Sequence, residues 1–121
     1  MDTVLGYFQL ALDEESSKLT TFLLPQGKFR YTRASMGLNA SSDEWCSRSD
    51  IVIEGFPWTR KIVDDILVWA EEELMERTRI VLSRCKELNI TISRKKLQLG
   101  TEFGFAGHKT ASDWTTTSTK L

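Results

Sequence analysis

Two adjacent carboxylates lie inside an apolar, β-branched run, Lys61-Ile62-Val63-Asp64-Asp65-Ile66-Leu67-Val68-Trp69. No other stretch of the 121 residues limits the fold as much. Burying two ionised carboxylates side by side is costly unless something compensates their charge. A strand pair with Asp64 and Asp65 at its tight turn meets the difficulty in one of two ways. The turn stands in water, or the carboxylates share a divalent cation. Magnesium suits the second arrangement, because it takes one or two protein carboxylates and keeps its other positions for water and phosphate oxygens. The run alone leaves both open.

The flanking sequence supplies the rest of a small domain. Residues 3–12 mix apolar and polar positions as a strand or strand-plus-turn does, and Asp13-Glu14-Glu15-Ser16-Ser17 reads as an exposed loop. Leu19 to Leu24, the turn chemistry of Pro25-Gln26-Gly27, and the alternating Phe29-Arg30-Tyr31-Thr32 predict a hairpin. Ser41 followed by Glu44 matches a capping box and Gly55 a stop, so a helix is expected over 42–54 with Trp45, Cys46, Ser49, Val52 and Ile53 inward. Leu74, Thr78, Val81, Leu82, Cys85 and Leu88 recur at helical spacing, which predicts an amphipathic helix over 71–88. Short strands are expected at Ile90–Ser93 and Phe103–Ala106. The tail from Ser112 lacks apolar periodicity and is expected to be disordered. This order predicts an α+β domain with helices packed on one face of an antiparallel sheet.

Composition excludes some functions. The apolar mass suffices for one core, and no apolar stretch approaches the roughly 20 residues of a membrane span. The start lacks the features of a signal peptide, and two cysteines, Cys46 and Cys85, make no disulfide framework. An intracellular location is expected, in the cytoplasm, a virus-like particle or the nucleus. A net charge of −1 argues against strong autonomous nucleic-acid binding, although Arg60-Lys61 and Arg94-Lys95-Lys96 form local basic patches. The single histidine, without a second or a paired cysteine, does not support a zinc site.

Several motifs together carry a family resemblance. Asp2-Thr3-Val4-Leu5-Gly6-Tyr7-Phe8-Gln9 is followed in order by Asp13-Glu14-Glu15, Leu19-Thr20-Thr21-Phe22 and Pro25-Gln26-Gly27-Lys28-Phe29-Arg30-Tyr31. Met36-Gly37-Leu38, Ala40 to Cys46, Ile62-Val63-Asp64-Asp65-Ile66-Leu67 and Phe105-Ala106-Gly107-His108 complete the set. The series resembles gypsy-type LTR retrotransposon reverse transcriptases over most of the chain, and ordered motifs are more specific than any one alone. The resemblance implies a palm-like sheet with truncated fingers, a partial reverse transcriptase domain over 1–110, and a divergent tail over 111–121.

The same resemblance implies the chemistry. Asp2 matches the aspartate of the first motif, and Asp64 and Asp65 match the paired aspartates of the catalytic hairpin, with Ile62 where Tyr or Phe is usual. Together they would hold two Mg2+ ions, or Mn2+, for transfer of a nucleotide from dNTP to a primer 3′-hydroxyl on an RNA or DNA template. Tyr7 matches the aromatic residue under the incoming sugar, with core packing as the alternative. Met36 and Gly37 match the nucleotide and template pocket, or else a turn. Lys96 matches a lysine beside the leaving pyrophosphate, or else a solvated cation. Phe105, Ala106, Gly107 and His108 match the hairpin that positions the primer end, with His108 otherwise a surface residue.

In the intact enzyme the remaining polyprotein domains, including fingers, thumb and RNase H, are expected as partners, and no membrane. Two other readings stay open. One is a truncated remnant without catalysis, and the other a nucleic-acid-associated module that reuses the palm.

Overall fold

The computed structural model of the chain describes residues 1–105, 108–110 and 117–118. Its centre is a hairpin of β3 (Thr59–Ile62) and β4 (Asp65–Val68), paired antiparallel so that Ile62 faces Asp65 across the turn Val63-Asp64. Two helices, α2 (Asn39–Ile53) and α3 (Leu74–Glu87), pack on each other and against this hairpin. The α+β class expected from the sequence is the one found.

Packing follows the periodic positions. Trp45, Ser49 and Val52 from α2, Thr78, Val81 and Cys85 from α3, and Ile66 from β4 are buried, while Cys46 and Ile53 are half-buried and Leu82 is exposed. The almost fully covered Lys61 side chain is held by Asp50 and by the Ser49 hydroxyl, each at 2.9 Å. Phe56 stacks on Trp58 with centroids 4.8 Å apart, and Arg84 and Arg77 lie over these two rings. Burial thus dominates the inner face, and guanidinium-aromatic contacts close the end of the hairpin away from its turn.

The sheet is less continuous than expected. β1 (Phe22–Leu24) and β2 (Gly27–Phe29) form a separate hairpin, as predicted, and β5 (Phe103–Phe105), β6 (His108–Thr110) and β7 (Thr117–Ser118) a third antiparallel group. Isolated bridges, Asp2 to Asp65 and Thr3 to Ile92, join the amino-terminal strand to the central hairpin and to the segment after α3. The expected strand over 3–12 is therefore interrupted: Thr3 bridges at one end and Ala11 bridges to Arg33 at the other, with a turn between them. Leu5 takes a left-handed φ of 48°, and a 3-10 turn follows over Gly6–Gln9.

Two local readings are corrected. Asp13 to Ser17 is not a loop: α1 (Glu14–Leu19) begins there, capped by the Asp13 carboxylate, which accepts from the Ser16 amide at 2.7 Å. Ser41 does not cap α2. The helix starts at Asn39 after Leu38, with no side-chain cap, and Ser41 is buried within its first turns. Gly55, at φ 82°, follows the helix as expected. The tail expectation over 111–121 lies outside the described residues except for Thr117–Ser118, which pair as β7 with β6 rather than standing free. Among the described residues no helix is long and apolar enough to cross a membrane.

Candidate active site

The residues around the acidic turn are brought together mainly by backbone hydrogen bonds. The Thr3 amide donates to the Asp64 carbonyl at 3.0 Å, and the Ile66 amide to the Met1 carbonyl at 2.7 Å, so Asp2 stands beside Asp65 in antiparallel register. On its other side the Asp2 carbonyl accepts from the Ser93 amide at 2.8 Å. The strand that carries Asp2 is thus bonded both to the acidic turn and to the segment that leads to Lys96.

The side chains divide into two groups. The Lys96 ammonium donates to Asp2 Oδ2 at 2.6 Å. Asp65 shares this neighbourhood: burial, and next the Asp2 charge, push its carboxyl above the usual range, Asp64 adds to that, and the Met1 ammonium and Lys96 oppose it. The hydrogen bond to Asp2 in turn holds the Lys96 ammonium above its ordinary value. Asp64 turns elsewhere. Its Oδ1 accepts from the Thr3 hydroxyl at 3.3 Å and rests against Gly6, where a Cβ would overlap it.

The donor set fits a hard divalent cation. It offers carboxylate oxygens from adjoining strands, each partly open to solvent, where burial and next the Asp2 charge already disfavour ionised Asp65. As the side chains stand, no group of three His, Cys, Asp or Glu among the described residues converges as a ready metal cage. A bound cation would draw Asp2 from Lys96 and Asp64 from Thr3.

The other sequence-predicted residues fall at varied distances from the acids. Tyr7 lies on the 3-10 turn next to Gly6, packs against the core, and places its hydroxyl 3.5 Å from the Ser42 hydroxyl of α2. Met36 is 70% exposed and Gly37 holds φ 91°, so both occupy the open turn leading into α2. Phe105 lines a cleft of about 60 Å³ together with Asp65, Lys96 and Leu97. Ala106 and Gly107 lie outside the described residues, and His108 is placed by its backbone in β6.

Sequence reasoning missed three residues that hold the site. The Gln9 side chain donates to the Val4 and Thr91 carbonyls and accepts from the Thr91 amide, which ties the Tyr7 turn to the segment beside Asp2. Thr3 holds Asp64, and the Trp45 indole reaches the Val63 carbonyl at 3.3 Å. Apart from the local Gln9–Val4 bond, these interactions span sequence separations that no periodicity reports.

No family model matches the chain. The enzymatic polyprotein of cauliflower mosaic virus (strain D/H) is 35% identical over 100 residues, covering 78% of this chain and 14% of that polyprotein. The retrovirus-related Pol polyprotein from transposon 412 of Drosophila melanogaster is 27% identical over 114 residues, covering 90% of this chain and 9% of the polyprotein. The chain therefore spans a small part of the length of the curated relatives it matches. Among solved structures, the foamy viral protease-reverse transcriptase in complex with dsDNA superposes with a TM-score of 0.84 at 21% identity, over 94% of this chain and 25% of that one. The same protein in complex with an RNA/DNA hybrid gives 0.78 at 23% identity, over 89% and 15%. By these similarities of sequence and fold, the chain belongs to the reverse transcriptase family of retroelement polyproteins.

Proposed function

We propose that the chain carries the nucleotidyl-transfer site of an RNA-directed DNA polymerase of the gypsy type, in which Asp2, Asp64 and Asp65 hold two Mg2+ or Mn2+ ions. The observation that carries this reading is the antiparallel pairing of Asp2 with Asp65, which unites the first motif of the series with the acidic hairpin. The bound cations would activate a primer 3′-hydroxyl and neutralise the triphosphate of a dNTP.

The chain's own residues do the rest. Asp2 and Asp65 supply ligand oxygens from neighbouring strands, and Asp64 supplies a third from the turn. Lys96, released from Asp2, lies within reach of the same charge cluster and is the cation to neutralise departing pyrophosphate. Tyr7 offers a flat ring on a turn fixed to the acidic strand, suited to the sugar of the incoming nucleotide. The cleft between β4 and the segment at 96–105, walled by Phe105, is open to a primer end. The foamy viral relatives of the fold are solved with dsDNA and with an RNA/DNA hybrid, which supports a primer-template duplex as the partner. The remaining polyprotein domains would clamp that duplex.

Single-turnover incorporation of one dNTP on a primed RNA template, with Mg2+ or Mn2+ titrated, tests the reading. Cation-dependent incorporation by the chain, lost on Asp64→Asn, is the expected result. The rate is expected to be low, because substrate positioning accounts for roughly 7–11 kcal/mol of such barriers and much of it would come from the other domains. Incorporation that survives both Asp64→Asn and Asp2→Asn would rule the site out. A second reading, a catalytically silent nucleic-acid-associated remnant, is favoured by one observation: Lys96 already neutralises Asp2. It predicts no cation uptake.

A further inference from the structure

One buried ring meets two of the segments that carry candidate site residues. Trp45, on α2, has no exposed surface. Its Nε1–H donates to the carbonyl of Val63, the residue immediately before Asp64 in the turn. The edge of the same ring lies under Gly6, where a Cβ would come within 2.9 Å of Cε2 and 3.1 Å of Cζ2. Gly6 also borders the Asp64 carboxylate and begins the turn that carries Tyr7.

Val63 makes this contact more than routine satisfaction of an indole. It holds φ 49°, a left-handed conformation that β-branched residues avoid, and the residue is 42% exposed, so little burial secures it. Such a conformation persists only where the surroundings over-determine it. The surroundings here are the Ile62 to Asp65 pairing, the Thr3 amide on the Asp64 carbonyl, and the Trp45 indole on the Val63 carbonyl. Of these, only the indole reaches the strained residue's own peptide from the core.

We propose that Trp45 is a positioning residue: its indole N–H fixes the Val63 peptide and thereby sets where the turn presents Asp64 to a cation. The inference rests on the metal-binding reading of the acidic residues. It separates two properties of Trp45, since ring volume serves the core and the N–H serves the turn.

The test uses the full 121-residue chain with Trp45 replaced by benzothienylalanine, which keeps the bicyclic shape and lacks the N–H, alongside Trp45→Phe. Mn2+ binding is followed by electron paramagnetic resonance, and amide exchange by NMR. With the benzothienyl ring, Mn2+ should bind up to about tenfold more weakly and the Thr3 amide exchange up to about tenfold faster, the equivalent of one hydrogen bond. The Val81 and Cys85 amides of α3 should exchange as in the wild type.

Mn2+ affinity unchanged in the benzothienyl chain overturns the proposal, as does an unchanged Thr3 amide. If the wild type takes up no Mn2+, the metal reading fails by itself, and the Thr3 amide decides whether the indole holds the turn. If Trp45→Phe fails to fold, the isosteric replacement decides alone.

Discussion

Thr3 and Asp64, separated by 61 positions, are joined twice: the Thr3 amide donates to the Asp64 carbonyl at 3.0 Å and the Thr3 hydroxyl to the Asp64 carboxylate at 3.3 Å. The first bond sets the backbone of the turn, and the second aims its side chain. Thr3→Val keeps the shape of a 5% exposed residue and removes only the second. We expect a loss of about 0.5–1 kcal/mol in urea unfolding, at the low end for a hydrogen bond because the partly open Asp64 finds water instead. Mn2+ affinity should change as well, since the freed carboxylate no longer has to leave Thr3. No change in either quantity would mean that the hydroxyl does not hold Asp64.

Gly6 is the most tightly enclosed glycine among the described residues. A Cβ there would overlap the Asp64 carboxylate and press on the Trp45 ring, whose position α2 fixes. Gly6→Ala should therefore cost about 1–3 kcal/mol, the usual range for overpacking a close contact. It should also displace Asp64, the more mobile neighbour, and lower cation affinity. Gly104→Ala is the control, because a Cβ at Gly104 meets nothing within 4 Å. Equal stability of the two variants would contradict the steric argument.

The pattern of what the sequence revealed follows from range. α2 and α3 were legible because Trp45, Ser49 and Val52, and Thr78, Val81 and Cys85, recur at the helical period that burial imposes. The approach of Asp2 to Asp64-Asp65 was legible only through the ordered motifs. α1 was missed although Asp13 with Glu14 and Glu15 is a start signal, because its six residues bury only Ser17 and so show no apolar stripe. Ser41 misled in the opposite sense: a capping residue type was spent on close packing inside the helix. The left-handed conformations of Leu5 and Val63 left no trace, since neither residue type signals them. The Gln9 and Trp45 hydrogen bonds link distant segments, and local patterns carry no record of such contacts.

Lys61 and Asp50 form an asymmetric pair. The Lys61 side chain is 4% exposed and that of Asp50 63%, so the ammonium depends on its partner far more than the carboxylate does. Asp50→Ala leaves a covered charge with the Ser49 hydroxyl as its remaining partner, and should cost about 1–3 kcal/mol, below the value for a fully buried pair because water reaches the vacated side. Lys61→Met replaces the ammonium with an apolar chain of similar length and should stay within about 1 kcal/mol of the wild type. Thermal unfolding of both variants reads the comparison. A larger loss for Lys61→Met would show that the pair itself, rather than the cost of an unpaired charge, supports this face.

Asp65 gives the chain a pH dependence whose sign follows from its surroundings. Burial and the Asp2 charge raise its carboxyl above the ordinary value of 3.8, so the folded chain binds this proton more tightly than the unfolded one. A group of this kind favours folding fully below its unfolded pKa, and that contribution is lost as pH rises through the folded pKa. In the absence of divalent cations, Asp65→Asn should therefore be more stable than the wild type at pH 7. The difference should shrink as pH falls toward 3.8, where the wild-type carboxyl is increasingly neutral. Added Mg2+ should reverse the order at pH 7, because it stabilises the ionised site of the wild type and finds one ligand fewer in the variant. Urea midpoints at the two pH values, with and without Mg2+, measure all four states. An Asp65→Asn chain less stable than the wild type at pH 7 without cation would show that the Met1 and Lys96 ammonium groups outweigh burial and the repulsion among the carboxylates.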